Sequence, residues 1–276
     1  MAPNPLPEKN LVFFVTPGRS GTDFVAHLLS HLPETTVAHE PAYFPWMVFR
    51  EAFKSGRPVE HFTQHLRETK LPALQKITTP HYIETDHRLS KGLFEPMEEL
   101  GLRFNLVVLF RAERKVARSH YQINAVPGRS LWGKRYYYGP EEPLAFLQLP
   151  KAKARKLTEY QVCYWYTLEI RARQFHYASR YQRKGRAVVF ATLEHFKQFD
   201  FLQRACQSLG LPVPPEQDRD RFERAANERV NTKKTDKRDF PLSMKEVEEQ
   251  EAEVETLVRK YAYFPGLDLP LLPSTG

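Results

Sequence analysis

Residues 11–24 constrain the fold of this chain most, because an apolar run leads through a glycine-containing turn directly into an amphipathic helix. The run at 11–16 is typical of a buried strand, and apolar side chains recur at helical spacing from Phe24 onwards. Gly18 and Gly21 let the connecting backbone curl closely around a ligand. At the start of the helix, unpaired N–H groups and the positive end of the peptide dipoles would face that ligand. The segment therefore predicts a strand, an anion-binding loop and a helix.

The side chains of this loop narrow the choice of anion. Arg19 adds a full positive charge and a forked set of donors that suits phosphate or sulfate oxygens. The Walker loop of nucleoside triphosphatases needs a lysine directly after its last glycine, and Thr22 stands there instead. The alternative at this point is an ordinary strand-to-helix turn in which Thr22 or Asp23 caps the helix.

Strand and helix patterns alternate along the whole chain. Strands are predicted at 11–16, 35–38, 81–85, 104–110 and 187–191, and helices at 23–31, 59–67, 114–123, 154–180 and 244–261. We expect an α/β fold with a mostly parallel five-stranded sheet, helices on both faces, and the second strand beside the first. The length of 276 residues suits one domain, 1–276, with irregular tails at 1–10 and 267–276.

The charge balance favours an anionic ligand or surface. The chain carries 41 basic and 33 acidic residues, a formal excess of +8, which suits nucleic acid, anionic lipid or a polyanionic cofactor. Cys163 and Cys206 are too few for a disulfide framework and give no metal-ligand spacing, so we expect a reducing compartment and no metal. The polar start lacks a signal-peptide pattern, and no apolar stretch approaches the ~20 residues that span a membrane. These features predict a soluble, cytoplasmic protein.

A second anion-binding pattern follows the fourth predicted strand. Arg111 stands at the end of that strand, and Ser119 follows eight residues later in the predicted helix. Because the first of these positions form the turn, Ser119 falls about one or two turns into the helix and can point back towards the strand end. Both side chains could then bind one phosphate. Taken singly, Arg111 is better explained as a surface charge at the strand end, and Ser119 as a hydroxyl on the helix surface.

Together the two segments resemble the sulfotransferases that use 3′-phosphoadenosine 5′-phosphosulfate (PAPS). In that family a Pro-x-Lys/Arg-Ser-Gly-Thr loop binds the 5′-phosphosulfate, and residues 17–22 match it. An Arg at a strand end and a Ser eight residues later bind the 3′-phosphate, and Arg111 and Ser119 match that pair. Residues 188–212 are similar to the family's last core strand and following helix, a part that borders the adenine.

The resemblance implies a set of residues that bind the PAPS cofactor. They are Gly18, Arg19, Ser20, Gly21, Thr22, Asp23, Arg111, Ser119, Leu193, Lys233 and Lys234. The two lysines belong to a looser match at 231–234, and as a charge cluster in a loop they are also explained as a solvated surface. Asp23 departs from the family, which usually has Thr or Ser there, so a carboxylate would repel the cofactor unless it is turned away or paired. Ala112 and Glu113 replace the common Asp-Pro or Asn-Pro, which changes the turn but removes no donor.

Glu40 is the predicted general base. It follows the second predicted strand and should lie at the carboxyl end of the sheet, where open α/β folds bind ligands. Carbohydrate and tyrosine sulfotransferases likewise have a catalytic Glu near this point, and Arg19 would stabilise the charge that develops on the leaving phosphate. His39 is the alternative base, although alternation along the strand aims it away from Glu40. Glu40 could instead be a turn acid or an ion-pair partner of Arg19.

The acceptor site has weaker signals. Asp86 and His87 close the third predicted strand and could bind the acceptor or act as the base. Tyr137 lies in an aromatic segment, 132–138, that could form a wall for a ring or sugar, or simply pack on the long helix.

The resemblance therefore implies sulfuryl transfer from PAPS to a hydroxyl or amine of a small molecule or carbohydrate, with no metal and no obligate nucleic acid. Neither the acceptor nor the oligomeric state follows from these residues. One alternative is a P-loop kinase or phosphotransferase, which would need the missing loop lysine and a Mg²⁺-holding acid after a strand. Another is a non-catalytic binder of nucleic acid or anionic surfaces, suggested by the net charge and by basic runs at 151–156 and 180–186.

Overall fold

The five predicted strands are confirmed, and they form one parallel sheet. The structure, a computed structural model, describes residues 3–41, 45–228 and 237–262. The strands are β1 (Asn10–Val15), β2 (Thr35–Ala38), β3 (His81–Glu84), β4 (Asn105–Phe110) and β5 (Val188–Thr192). They lie in the order β2-β3-β1-β4-β5, and every neighbouring pair is parallel. The carboxyl ends of all five strands therefore meet at one edge of the sheet.

Helices connect the strands and complete the chain. They are α1 (Thr22–Leu29), α2 (Trp46–Ser55), α3 (Pro58–Glu68), α4 (Lys70–Gln75), α5 (Phe94–Glu99), α6 (Glu113–Gln122), α7 (Leu131–Tyr136), α8 (Lys151–Ala154), α9 (Glu159–Arg183), α10 (Leu193–Phe196), α11 (Phe199–Leu209), α12 (Arg219–Asn227) and α13 (Met244–Tyr261). Two 3₁₀ turns occupy His87–Lys91 and Glu216–Asp218. In the described part of the chain, no helix is at once long and apolar enough to cross a membrane.

The sheet is covered by helices on both faces, as its alternating side chains require. Phe13 of β1 packs in a cluster with side chains of α2–α6, α9 and α13. Its neighbour Phe14 points to the opposite face and packs with α1, α10, α11 and α12. Both phenylalanines are fully buried, so each contributes about 1.5–3 kcal/mol relative to an exposed side chain. Apolar residues on both sides of β1 are what identify it as a central strand.

The expected place of β2 beside β1 is wrong, because β3 lies between them. Tyr82 and Ile83 of β3 are almost completely buried, whereas every residue of β2 remains partly exposed. The more apolar strand therefore occupies the interior of the sheet and β2 forms its edge. Since all strands are parallel, the end of β2 still reaches the same edge of the sheet as the end of β1.

The long helix begins later than predicted. Thr158 accepts a hydrogen bond from the N–H of Gln161, whose side chain accepts in return from the N–H of Thr158. This capping box starts α9 at Glu159 and separates it from the short α8. Deeper in α9, Gln174 donates to the carbonyl oxygens of Val15 and Leu109, at 3.0 and 2.8 Å. The helix thereby holds the ends of β1 and β4 next to the loop that follows β1.

The predicted tails lie mostly outside the elements. The N-terminal tail ends one residue earlier than expected, because Asn10 already pairs with His81 in the sheet. The predicted tail at 267–276 lies outside the described residues.

Candidate functional site: an anion loop, two arginines and a buried polar chain

The loop between β1 and α1 depends on its two glycines. Gly18 and Gly21 have φ angles of 78° and 85°, and Arg19 between them also has a positive φ, 55°. A Cβ atom on Gly21 would lie 2.8 Å from a Leu193 methyl carbon, and one on Gly18 would lie 3.1 Å from the ring of His87. Both the left-handed backbone and the close neighbours therefore favour glycine.

Within the described residues, the loop leaves four successive backbone N–H groups without an acceptor. They belong to Arg19, Ser20, Gly21 and Thr22. The buried Ser20 hydroxyl donates instead to the Gly18 carbonyl, at 3.1 Å. Successive free N–H groups at the start of a helix are the arrangement that binds anions.

The 3₁₀ turn after β3, His87–Lys91, holds the start of the loop in place. The N–H of Thr16 donates to the Ser90 hydroxyl at 2.9 Å, and that hydroxyl donates to the Thr16 carbonyl at 3.1 Å. Thr16 and Ser90 are both fully buried. This reciprocal pair holds the loop against the segment that carries Asp86 and His87.

Arg19, Arg111 and Ser119 lie together, although they come from two distant parts of the sequence. Arg19 Nε donates to the Ser119 hydroxyl at 3.1 Å across 100 residues of chain. Arg111 Nη1 donates to the Arg19 carbonyl oxygen. Ser119 is the seventh residue of α6, close to the position that its spacing from Arg111 predicts.

The two guanidinium groups have no acidic partner within the described residues. Burial and, after it, the positive charge of Arg19 lower the pKa of Arg111. Both arginines remain charged near neutral pH, because an arginine does not lose its proton in proteins. Two unpaired like charges beside free N–H groups make this point attractive to an anion with several oxygens.

The other predicted PAPS-binding residues divide into three cases. Thr22 and Asp23 open α1, and the Asp23 carboxylate has no hydrogen bond or ion pair among the described residues. Leu193 opens α10 and lies over Gly21. Lys233 and Lys234 lie outside the described residues.

Glu40 lies just beyond β2, and its carboxylate faces His87. Glu40 Oε1 is 3.5 Å from His87 Nε2, and the Glu40 side chain is 41% exposed. Partial burial, and secondly the charge of Asp86, raise the pKa of Glu40 above its usual range. The alternative pairing of Glu40 with Arg19 is not what the structure contains, since the Glu40 carboxylate contacts the His87 ring instead. His39 turns elsewhere, with its Nδ1 atom 3.0 Å from the Thr85 hydroxyl.

His87 lies beneath the loop and is buried. Its ring stacks on Tyr137, with centroids 5.4 Å apart and planes 6° apart. Its Nδ1 atom is 3.0 Å from Nζ of Lys91, a fully buried lysine that sequence reasoning missed. Burial, followed by the charges of Lys91 and Arg88, lowers the pKa of His87 well below its usual range. The imidazole is therefore neutral near pH 7.

Asp86 is engaged by Arg88 rather than directed outwards. It accepts from the Arg88 N–H at 2.8 Å and forms an ion pair with the guanidinium at 2.6 Å. Arg88 also donates to the Pro41 carbonyl at 2.7 Å. The pair therefore holds the segment after β2, including Glu40, against the 3₁₀ turn.

The aromatic segment 132–138 packs partly on the long helix, which is one of the two predicted alternatives. Tyr137 stacks on His87, whereas Tyr138 packs against Trp165 of α9, with ring centroids 6.2 Å apart. Trp132 remains 55% exposed. The segment thus joins the core of the long helix to the edge of the site.

His120 is a second buried residue that sequence reasoning missed. It follows Ser119 directly, and its ring contacts Tyr137 edge to face at 4.9 Å. Burial, and then the charges of Lys91 and Arg19, lower its pKa to about 3, so this imidazole is neutral. A polar ring next to Ser119 in α6 was visible in the sequence, but its complete burial was not.

Among the described residues, no cluster of three or more His, Cys, Asp or Glu side chains is arranged to hold a metal ion. No protein-family model matches this chain, and no curated protein matches its sequence.

Proposed function

We propose that this chain is a PAPS-dependent sulfotransferase that transfers a sulfuryl group to a hydroxyl or amine of a small molecule or carbohydrate. The observation that carries the proposal is the meeting of Arg19, Arg111 and Ser119 without an acidic partner among the described residues. These residues come from the two sequence motifs that resemble the family. A chance match of either motif alone would not require the two to meet in space.

The proposed nucleotide has two anionic ends, and the site offers two sets of donors. The N–H groups of residues 19–22 would bind the 5′-phosphosulfate, and Arg111 with Ser119 would bind the 3′-phosphate. Leu193 offers an apolar surface beside the loop for the adenosine. The unpaired arginines support a ligand with two separate charged groups better than one with a single charge.

In the proposed reaction the acceptor oxygen attacks sulfur in line with the leaving group. The new O–S bond forms as the S–O bond to the 5′-phosphate breaks, and adenosine 3′,5′-bisphosphate leaves. The acceptor proton passes to the Glu40 carboxylate. Arg19 and the loop N–H groups stabilise the charge that develops on the leaving phosphate, and loss of one such donor typically costs about 3 kcal/mol of transition-state stabilisation.

Two further observations support this assignment. The pKa of Glu40 is raised, which makes its carboxylate a better proton acceptor near neutral pH. Cys163 and Cys206 are both unpaired and buried, which suits the reducing cytoplasm where we place the enzyme.

The base is tested by Glu40→Gln. Turnover is measured with PAPS labelled in its sulfuryl group and a panel of phenols, sugars and amines, and binding of adenosine 3′,5′-bisphosphate is measured by calorimetry. We expect turnover to fall at least ~100-fold while binding stays unchanged, as loss of a general base implies. Near-normal turnover would exclude Glu40 as the base and move that role to His39 or His87.

The 3′-phosphate site is tested by Arg111→Ala. We expect affinity for adenosine 3′,5′-bisphosphate to fall about tenfold or more, because a hydrogen bond to a charged group contributes about 1.5–3 kcal/mol. Affinity for 5′-AMP, which lacks the 3′-phosphate, should change little. Arg186→Ala is the matched control, since it removes the same charge at the opposite edge of the sheet, just before β5. Equal losses for the two nucleotides would remove Arg111 from the 3′-phosphate site.

A further inference from the structure

We infer that Lys91 is a positioning residue for the base: through His87, it fixes which imidazole nitrogen carries the proton and so orients the Glu40 carboxylate. The role assigned to Glu40 rests on the proposed function. The contacts of Lys91 and His87 do not, because they are features of the fold.

The surroundings of Lys91 determine what its ammonium group can do. Nζ donates to the Tyr136 carbonyl oxygen, lies 3.9 Å from the centre of the Tyr137 ring, and is 3.0 Å from His87 Nδ1. No carboxylate lies within ion-pair distance of it among the described residues. Burial lowers the pKa of Lys91 well below its usual range, whereas the Tyr136 carbonyl oxygen and the face of the Tyr137 ring both favour the charged form. In that form the group has three hydrogens and no lone pair, so all three neighbours act as acceptors. His87 Nδ1 must therefore present its lone pair to Lys91.

The opposite side of the imidazole leads to the same tautomer. His87 Nε2 faces Glu40 Oε1 at 3.5 Å, and an ionised carboxylate can only accept a hydrogen bond. The distance is longer than an ordinary hydrogen bond, as catalytic contacts often are before substrate binds. Lys91 and Glu40 thus both require the proton on Nε2.

The ring of His87 has little freedom to turn away from this arrangement. Tyr137 stacks on it, and Gly18 approaches it so closely that a Cβ atom there would lie 3.1 Å from the ring. The charged and titratable groups around the ring are Lys91, Arg88, His120, His39 and Glu40. Most of them are cationic or imidazole groups, so a second proton on His87 is disfavoured.

This arrangement has a direct consequence for proton transfer. A neutral His87 that donates from Nε2 directs one oxygen of Glu40 inwards and leaves the other oxygen for the acceptor hydroxyl. The proton removed from the acceptor then stays on Glu40, because His87 already carries its proton on the facing nitrogen. Loss of Lys91 would allow the other tautomer, whose Nε2 lone pair repels the carboxylate.

The first test uses the unmodified chain with ¹⁵N-labelled histidine. His87→Gln identifies the signals of His87, and the nitrogen shifts report which ring atom is protonated. We expect a protonated Nε2 and an unprotonated Nδ1 at neutral pH. A proton on Nδ1, or on both nitrogens, would overturn the inference. This result does not depend on any enzymatic activity.

The second test is a double-mutant cycle on turnover. Lys91→Met should lower kcat on the order of 10²-fold, as misplacement of a reacting group does, while affinity for adenosine 3′,5′-bisphosphate stays within about twofold. In a His87→Gln background the same change should have little further effect, because the glutamine amide is a donor that has no tautomers. Equal losses in both backgrounds would contradict a role through His87. If the wild-type chain showed no turnover at all, the proposed function would fail. The histidine signals, compared between the wild-type and Lys91→Met chains, would then decide whether Lys91 sets the tautomer of His87, and identical signals would overturn the inference.

Discussion

At the scale of single residues, Glu40 combines an unusual backbone with its place in the site. Its φ of 46° lies in the left-handed region. Residues other than glycine, asparagine and aspartate seldom adopt this region. Arg88 holds this conformation through its hydrogen bond to the next carbonyl, that of Pro41. A strained residue held in place by its neighbours is a common feature of functional sites.

The strain can be separated from the charge with two variants. Glu40→Asn and Glu40→Gln both remove the carboxylate, but asparagine tolerates the left-handed region better than glutamine. We expect the asparagine variant to have a free energy of unfolding roughly 0.5–1 kcal/mol above that of the glutamine variant, measured by urea denaturation. Equal stability of the two variants would show that this backbone stores no strain. Turnover should be lost in both.

The raised pKa of Glu40 makes stability and turnover depend on pH in opposite directions. The native state holds the Glu40 proton to a higher pH than the unfolded chain, whose ordinary pKa is 4.5. The contribution of this group to stability is therefore present at acid pH and is lost as pH rises through its native pKa. The proton acceptor forms over the same interval, so turnover should rise there.

We expect the acid limb of kcat/KM to lie above pH 4.5, and Glu40→Gln to remove that part of the pH dependence of unfolding. Both are measured across the same buffers, with His39→Gln as the control. An acid limb at or below the ordinary carboxyl value would contradict the raised pKa.

Residue identity in the two anion motifs could be predicted from the sequence because their spacing is local. Arg111 and Ser119 needed only a strand, a turn and a helix to meet Arg19. Lys91 and His120 could not be found in this way, since a lysine beside serine and glycine reads as a surface residue. Their burial depends on how α6, α7 and the 3₁₀ turn pack together.

At the scale of secondary-structure elements, the loop between β1 and α1 is the most tightly constrained segment of the site. Gly21 has a positive φ and also lies against Leu193, whereas Gly185, in the turn after α9, has a positive φ of 69° and no neighbour within 4 Å of a Cβ atom. An alanine at Gly185 would therefore add backbone strain alone, whereas an alanine at Gly21 would add both backbone strain and steric overlap with Leu193.

We predict that Gly21→Ala destabilises the chain more than Gly185→Ala, which should cost about 1 kcal/mol from backbone strain alone. The effect of alanine on the unfolded chain is common to both variants and cancels in the comparison. Leu193→Ala combined with Gly21→Ala should recover the steric part of this loss of stability. If Gly21→Ala cost no more than Gly185→Ala in denaturant titrations, the close approach of Leu193 would be wrong.

Periodicity predicted the strands, the helices α1, α3, α6 and α13, and the long helix α9, whose start it placed too early. The position of β2 was wrong because sequence order does not decide which strand lies in the interior of a sheet. Short helices such as α4, α5, α7 and α10, of four to six residues, escaped prediction because they are too short to show an amphipathic repeat.

At the scale of the whole molecule, the parallel sheet explains why one edge collects the site. The segments after β1, β2, β3, β4 and β5 supply, in turn, the anion loop, Glu40, His87, Arg111 and Leu193. This convergence follows from the direction of the strands alone, so the sequence could predict it without the correct strand order. The acceptor could not be predicted, because both motifs found in the sequence concern the proposed nucleotide.

The net positive charge of the molecule is partly neutralised away from the site. Arg180 and Lys184, in one of the basic runs, both pair with Glu98 of α5. Arg19 and Arg111, in contrast, have no such partner among the described residues. Part of this basic run is therefore neutralised within the chain, whereas the described residues do not neutralise the two arginines at the loop.

The most direct measurement is a calorimetric titration of the unmodified chain with adenosine 3′,5′-bisphosphate, 5′-AMP and ATP, without added metal. We predict tight binding of the bisphosphate, and much weaker binding of the two nucleotides that lack the 3′-phosphate. A preference for ATP, or no binding of the bisphosphate, would contradict the assignment of Arg19, Arg111 and Ser119 to a PAPS site.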